Sequence, residues 1–106
     1  MEYKLTKKYQ LSKHCKDSKD RNFIIYFLNG VEILKQKVPF DTNFELGFDR
    51  RTVITDEYIL NGQIHQTRYF REACGAEPKK IRNVSYPLSK KILKTFEIPV
   101  DFKITI

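Results

Sequence analysis

The chain has 106 residues, 41% of them hydrophobic and 31% charged. That balance describes one folded domain spanning residues 1–106, able to bury a core without a metal or disulfide staple, and it excludes a disordered segment. Lys and Arg outnumber Asp and Glu by 20 to 13, a formal charge of +7, which favours a polyanionic partner such as nucleic acid, an anionic membrane surface or an acidic protein.

The two cysteines, Cys15 and Cys74, stand far apart, and with His14 and His65 they form no zinc-ligand spacing. No metal and no other cofactor is therefore expected. Lys4, Lys7 and Lys8 fall where a secretory signal would need its apolar core. No run approaches the ~18 apolar residues of a spanning helix. The expectation is a cytoplasmic chain with free thiols and no membrane partner.

Taken in chain order, Tyr3, Leu5, Tyr9 and Leu11 alternate with polar residues, with Lys7 the one break on the apolar side. Period 2 predicts a strand with one buried face. Ser12 to Asn22 is polar and charged and reads as a loop. Phe23 to Leu28 (FIIYFL) is a short apolar run, the pattern of a strand buried on both faces. Asn29-Gly30 then predicts a type I′ hairpin, because that turn needs φ > 0 at both central residues. A two-residue loop places Leu28 opposite Val31, Tyr26 opposite Ile33 and Ile25 opposite Leu34 on a return strand from Val31 to Val38. Pro39 ends it. Phe44, Leu46 and Phe48 suggest a further short strand.

A second hairpin repeats the first. Thr52 to Leu60, Asn61-Gly62 and Gln63 to Phe70 put Ile59 opposite Ile64, Tyr58 opposite His65 and Val53 opposite Phe70. Val53, Ile59, Ile64 and Phe70 make the apolar face of this ribbon. Tyr58, Tyr69 and His65 take the other. Thr55, Glu57, Gln66 and Arg68 lie in its middle, so this hairpin is expected to be less buried than the first. Ile81 to Tyr86 is the next strand. Ser89 to Glu97 reads as two helical turns, with Ser89 as N-cap and Ile92, Leu93 and Phe96 facing inward. The alternation of Val100, Phe102, Ile104 and Ile106 predicts a closing half-buried strand within Ile98 to Ile106. Seven or eight short strands with one short helix specify a mainly β fold, a small closed barrel or sandwich of OB-like or SH3-like type.

No catalytic constellation is visible. His14 lies in a charged loop and His65 in a strand. Asp56 and Glu57 are adjacent, so a strand sends them to opposite faces. Two of the four glycines sit in hairpin turns, and no phosphate loop is present. An enzyme is not expected.

What remains is charge interleaved with aromatic rings. Lys79, Lys80, Arg82, Lys90, Lys91 and Lys94 are six cations in an acid-free stretch. Arg68 and Arg71 precede them in the second hairpin. Single-strand binders stack bases on aromatic side chains while Lys and Arg follow the phosphates. Tyr58 and Tyr69 are the candidate stacking residues, and these ten residues are the candidate nucleic-acid site. The function expected is a non-catalytic nucleic-acid-binding accessory protein, taking single strands in preference to duplex. The alternative is a small interaction module, an inhibitor or regulator docking on an acidic protein, since carboxylates and phosphates attract the same cations.

Two resemblances accompany this reading. Val84, Pro87, Ile98, Asp101 and Ile104 resemble the pattern of the swapped-hairpin transition-state regulators. The segment between Pro87 and Ile98 is longer than in that family, and Phe96-Glu97 replaces its Leu-Gly. The C-terminal half is similar to small replication-accessory proteins of Gram-positive integrative and conjugative elements, including helicase-processivity factors. The matching residues are Arg51 and Val53, Thr67 and Tyr69, Val84-Ser85-Tyr86-Pro87, Lys94 and Phe96, and Val100, Phe102 and Ile104. That resemblance implies single-stranded DNA association beside a replication or conjugation protein of a mobile element or phage.

Overall fold

The computed structural model describes residues 2–10, 23–37, 51–71, 77 and 79–106. Within them the chain forms β1 (Leu5–Gln10), β2 (Phe23–Leu28), β3 (Val31–Lys37), β4 (Arg51–Leu60), β5 (Gln63–Arg71), β6 (Lys79–Pro87), α1 (Lys90–Phe96) and β7 (Ile104–Thr105). The segments read above as the loop Ser12 to Asn22 and the Phe44–Phe48 strand lie outside the described residues. The fold is mainly β with one short helix. Its strands form two antiparallel sheets, one ordered β1-β2-β3 and one ordered β6-β5-β4-β7. Among the described residues no ladder joins one sheet to the other.

Both Asn-Gly turns form as their residues require. Asn29 and Gly30 have φ of 51° and 82°, and Asn61 and Gly62 have 54° and 74°. The first turn is clasped by the N-terminal segment, where Lys4 N donates to Asn29 Oδ1 at 2.7 Å and Asn29 N donates to Lys4 O at 2.9 Å. The second is held between two connections, with Asn61 N donating to Val100 O and Leu88 N donating to Gly62 O, both at 2.9 Å.

The inner faces of the two sheets share one core. Leu5, Ile24, Tyr26, Leu28 and Ile33 come from the first sheet, and Ile54, Ile59, Ile64 and Ile104 from the second. Leu88 and Phe96 join them from the helical segment. Each fully buried large apolar side chain contributes about 1.5–3 kcal/mol. β2 also buries Ile25 on its other face, while Phe27 on that face stays half-buried.

The helix follows its sequence. Ser89 caps it by accepting from Ile92 N at 3.2 Å, and Phe96 is buried with Ile92 and Leu93 packed against the core. Its end is less regular. Glu97 takes the left-handed conformation at φ 51°, and Ile98 N returns to Leu93 O at 3.2 Å, a terminus usually given to glycine.

Three expectations are corrected. In the first hairpin a bulge between Tyr26 and Phe27 moves Tyr26 opposite Leu34 and Ile25 opposite Lys35, instead of opposite Ile33 and Leu34. In the second, the pairing holds from Leu60 back to Tyr58 and then shifts at a bulge, where Asp56 has φ 52°. One extra residue exchanges the faces of everything before it. Ile54 is thereby buried and Val53 lies opposite Tyr69 on the outer face, the reverse of the expected arrangement. Finally, the closing strand shrinks to Ile104–Thr105. Phe102 N bonds back to Pro99 O across a turn at Val100-Asp101, which leaves Val100 69% and Phe102 49% exposed.

Candidate nucleic-acid interface

The second sheet has an inner and an outer face of different character. Ile64, Gln66 and Arg68 of β5 share the inner side with Ile59, Glu57 and Ile54 of β4 and with Tyr86, Val84 and Arg82 of β6. Tyr58, His65, Thr67, Tyr69, Asn83, Ser85 and Thr105 lie on the outer side.

The inner face carries a polar chain through the middle of the molecule. Lys7 Nζ donates to Glu57 Oε1 at 2.7 Å, and the Tyr26 hydroxyl stands 3.4 Å from the same oxygen. Gln66 Nε2 donates to the Tyr26 hydroxyl at 2.7 Å, Arg68 Nε to Gln66 Oε1 at 3.0 Å, and an Arg68 terminal nitrogen to the Tyr86 hydroxyl at 2.9 Å. Glu57 and Gln66 are only 8% and 2% exposed. The hairpin's middle is therefore polar and buried, where its composition suggested a less buried stretch. Buried polar groups keep their stability only when bonded, and these are. Burial and the nearby Glu57 charge push the Tyr26 phenol well above its ordinary value. Burial alone would lower Lys7, but its bonds to Glu57 and Tyr9 raise it on balance.

The outer face is aromatic and neutral-polar. Tyr58 and His65 are register partners with rings stacked at 4.8 Å and 17°. Lys103 Nζ lies 4.3 Å from the Tyr58 ring centre. His65 Nε2 is 3.1 Å from Leu60 O, and because a carbonyl only accepts, this nitrogen carries the proton. Two shallow depressions flank the stack. One, of about 210 Å³, is floored by β5 and β6 at Thr67, Asn83 and Ser85; the other, of about 430 Å³, lies by Asp56, Lys103 and Thr105. Tyr69 sits on the same face four residues along β5, about 13 Å away at strand spacing.

The ten sequence-derived residues divide into groups. Tyr58 and Tyr69 share the outer face as expected, both half-buried. Arg68 points inward and is bonded to Gln66 and Tyr86. Arg71, Lys79 and Lys80 are placed by strand register at the end of the sheet remote from the Asn61-Gly62 turn, with Arg82 exposed nearby on β6. Lys90, Lys91 and Lys94 are exposed on α1, beyond the opposite end of β6. The nine residues of β6 separate the two cationic groups by roughly 27 Å. One continuous run in sequence is two patches in space.

Two further cations belong to this geometry. Arg51 is the register partner of Arg71, and in the sequence it entered only through the resemblance to replication-accessory proteins. Lys103 over Tyr58 had no signal, because its place depends on the turn at Val100-Asp101. Among the described residues no cluster of His, Cys, Asp and Glu could hold a metal, and no helix is long and apolar enough to cross a membrane. No protein-family model matches the chain, and neither a curated protein nor a solved structure is significantly similar to it.

Proposed function

We propose that this chain is a non-catalytic nucleic-acid-binding accessory protein that takes single strands across the outer face of β4, β5 and β6. The observation that carries the reading is the placement of Tyr58 and Tyr69, both half-buried, on the outer sheet face, with Arg51, Arg71 and Lys79 gathered by register at its end. A β-sheet presenting rings at intervals suits a single strand, because each base offers a face to stack on and the phosphates reach the flanking cations. Duplex fits less well, since the aromatic face offers rings to unpaired bases, which a duplex keeps stacked on each other.

The resemblance to replication-accessory proteins of conjugative elements supports the same reading. It extends it to a cytoplasmic setting, a mobile element or phage, and a neighbouring replication or conjugation protein. The finer architecture of an OB-like or SH3-like barrel belongs to this proposal as well. In it Arg71, Lys79 and Lys80 contact phosphates, Arg82, on the inner side of the edge strand β6, meets a phosphate that passes around that edge, Lys90, Lys91 and Lys94 form a second contact patch, and Arg68 holds Tyr86 in place.

Fluorescence anisotropy against labelled single- and double-stranded DNA and RNA tests the proposal. Affinity should fall with salt on a log–log slope of about −0.7 per phosphate contacted on single strands. Reversal of Lys79, Lys80 and Arg82 to Glu should abolish binding, with an unchanged melting temperature showing that the fold is intact. Salt-insensitive binding, or none at low salt, removes the reading in favour of a partner protein.

A further inference from the structure

The outer face contains a feature that generic strand binding does not require. Tyr58, His65 and Ser85 are successive register partners across β4, β5 and β6, with Thr67 paired to Asn83 one step along. The Tyr58–His65 stack therefore has a direction. Tyr58 covers one face of the imidazole, and the other is turned toward β6. The small side chains there, Asn83 and Ser85, leave a depression of about 210 Å³ lined also by Tyr58, His65 and Thr67. Neighbouring strands lie about 4.8 Å apart, and the Tyr58–His65 pair shows that this spacing brings rings into contact. A third planar ring above β6 would continue the stack.

The polar groups at that position are specified as well. His65 Nε2 is held by Leu60 O, which fixes the imidazole ring as a stacking surface. Thr67 Oγ1 donates to Asn83 Oδ1 at 3.2 Å, which leaves the Asn83 amide hydrogens to donate. Ser85 can do either, and both Asn83 and Ser85 are exposed. A planar aromatic ligand with hydrogen-bonding groups on its edge meets all of these features, and an aliphatic or purely anionic ligand meets few.

We propose that this depression is a subsite for one nucleobase of a bound single strand, stacked on His65 and read along its edge by Asn83 and Ser85, so that binding depends on sequence. The proposal rests on the single-strand reading above and adds to it a base preference. Phosphate contacts position a strand without reading it, whereas edge hydrogen bonds discriminate.

The test compares labelled dT, dC, dA and dG homo-oligonucleotides of one length on the wild type, Asn83→Ala, Ser85→Ala and His65→Ala. Unlabelled nucleoside monophosphates serve as competitors. The wild type should prefer one base by about tenfold, the scale of one well-made edge contact. Asn83→Ala or Ser85→Ala should erase most of that preference with the salt slope and melting temperature unchanged. His65→Ala should weaken all four oligonucleotides, and free monophosphates should compete poorly because they lack the flanking contacts. Equal binding of the four homo-oligonucleotides, a preference that survives both β6 substitutions, or monophosphates competing as well as oligonucleotides overturns the subsite and leaves the single-strand reading standing. No binding to any oligonucleotide overturns both.

Discussion

Lys7 of β1 and Glu57 of β4 meet across the space between the two sheets, Nζ to Oε1 at 2.7 Å, with their side chains 24% and 5% exposed. Lys7 is the residue that interrupts the apolar side of its strand, and Glu57 follows a residue in left-handed conformation at a bulge. Each looks like a defect in its own strand, and together they make an ion pair.

Removing one partner of such a pair strands the other charge. A fully buried case costs about 3–5 kcal/mol, and the partial exposure of Lys7 puts Glu57→Leu at about 2–3 kcal/mol. The Lys7→Met, Glu57→Leu double variant should recover most of that, since apolar replacement of both partners removes the stranded charge. Urea denaturation of the single and double variants checks it. Additive losses would show that the ion pair contributes nothing through its pairing.

Alkaline pH should find the same cluster. The phenol of Tyr26 and the ammonium of Lys7 both have raised values in the folded protein. The stability they contribute is fully present below their unfolded values, near 10 for Tyr and 10.4 for Lys, and is lost as pH rises through the folded ones. While the unfolded Tyr26 ionises and the folded one does not, stability falls by about 1.4 kcal/mol per pH unit. Tyr26→Phe should be less stable at pH 8 and show a shallower decline from pH 10 to 11.5. An unchanged slope would place the alkaline sensitivity elsewhere.

How much of this was legible in sequence depends on what each residue had to know. The turn at Asn61-Gly62, the Ser89 cap and the inward Ile92, Leu93 and Phe96 are local matters of backbone sterics and helical periodicity, and the structure has them all. The Tyr58–His65 pairing followed from counting outward from that turn. Counting failed at Asp56 and in the first hairpin beyond Phe27, because bulges carry no periodic signal and each flips the faces beyond it. Glu57 and Gln66 were misjudged for another reason. A polar residue is read as exposed unless its partners are known, and theirs are 50 and 40 residues away. The two-patch division of the basic segment is likewise invisible in one dimension.

The helix terminus offers a stabilising change. Glu97 adopts φ 51° and places an acid at the negative end of α1. Glycine takes that conformation without the clash that an L side chain meets, worth about 1 kcal/mol. Glu97→Gly should therefore raise stability by about that amount and the melting temperature by about 4–8 °C for a domain of this size. Thermal unfolding measures it, and a fall would show that the Glu97 side chain makes a contact that outweighs the backbone strain.

The aromatic face supplies the sharpest separation between folding and binding. Tyr58 and Tyr69 lie opposite the core, so truncation leaves no interior cavity. Tyr58→Ala forfeits its stack on His65 and its contact with Lys103, a pair energy of about 0.5–1.5 kcal/mol. Base stacking on an aromatic is worth about 1–3 kcal/mol by alanine substitution. Tyr58→Ala and Tyr69→Ala should each weaken single-strand affinity within that range and lower the melting temperature by no more than about 2–12 °C. The alternative has its own signature. Rings that anchor the fold cost about 3–5 kcal/mol when truncated, with affinity per folded molecule unchanged. Measuring melting temperature and oligonucleotide affinity on the same samples decides between them, and a large thermal loss with intact binding would take both tyrosines out of the interface.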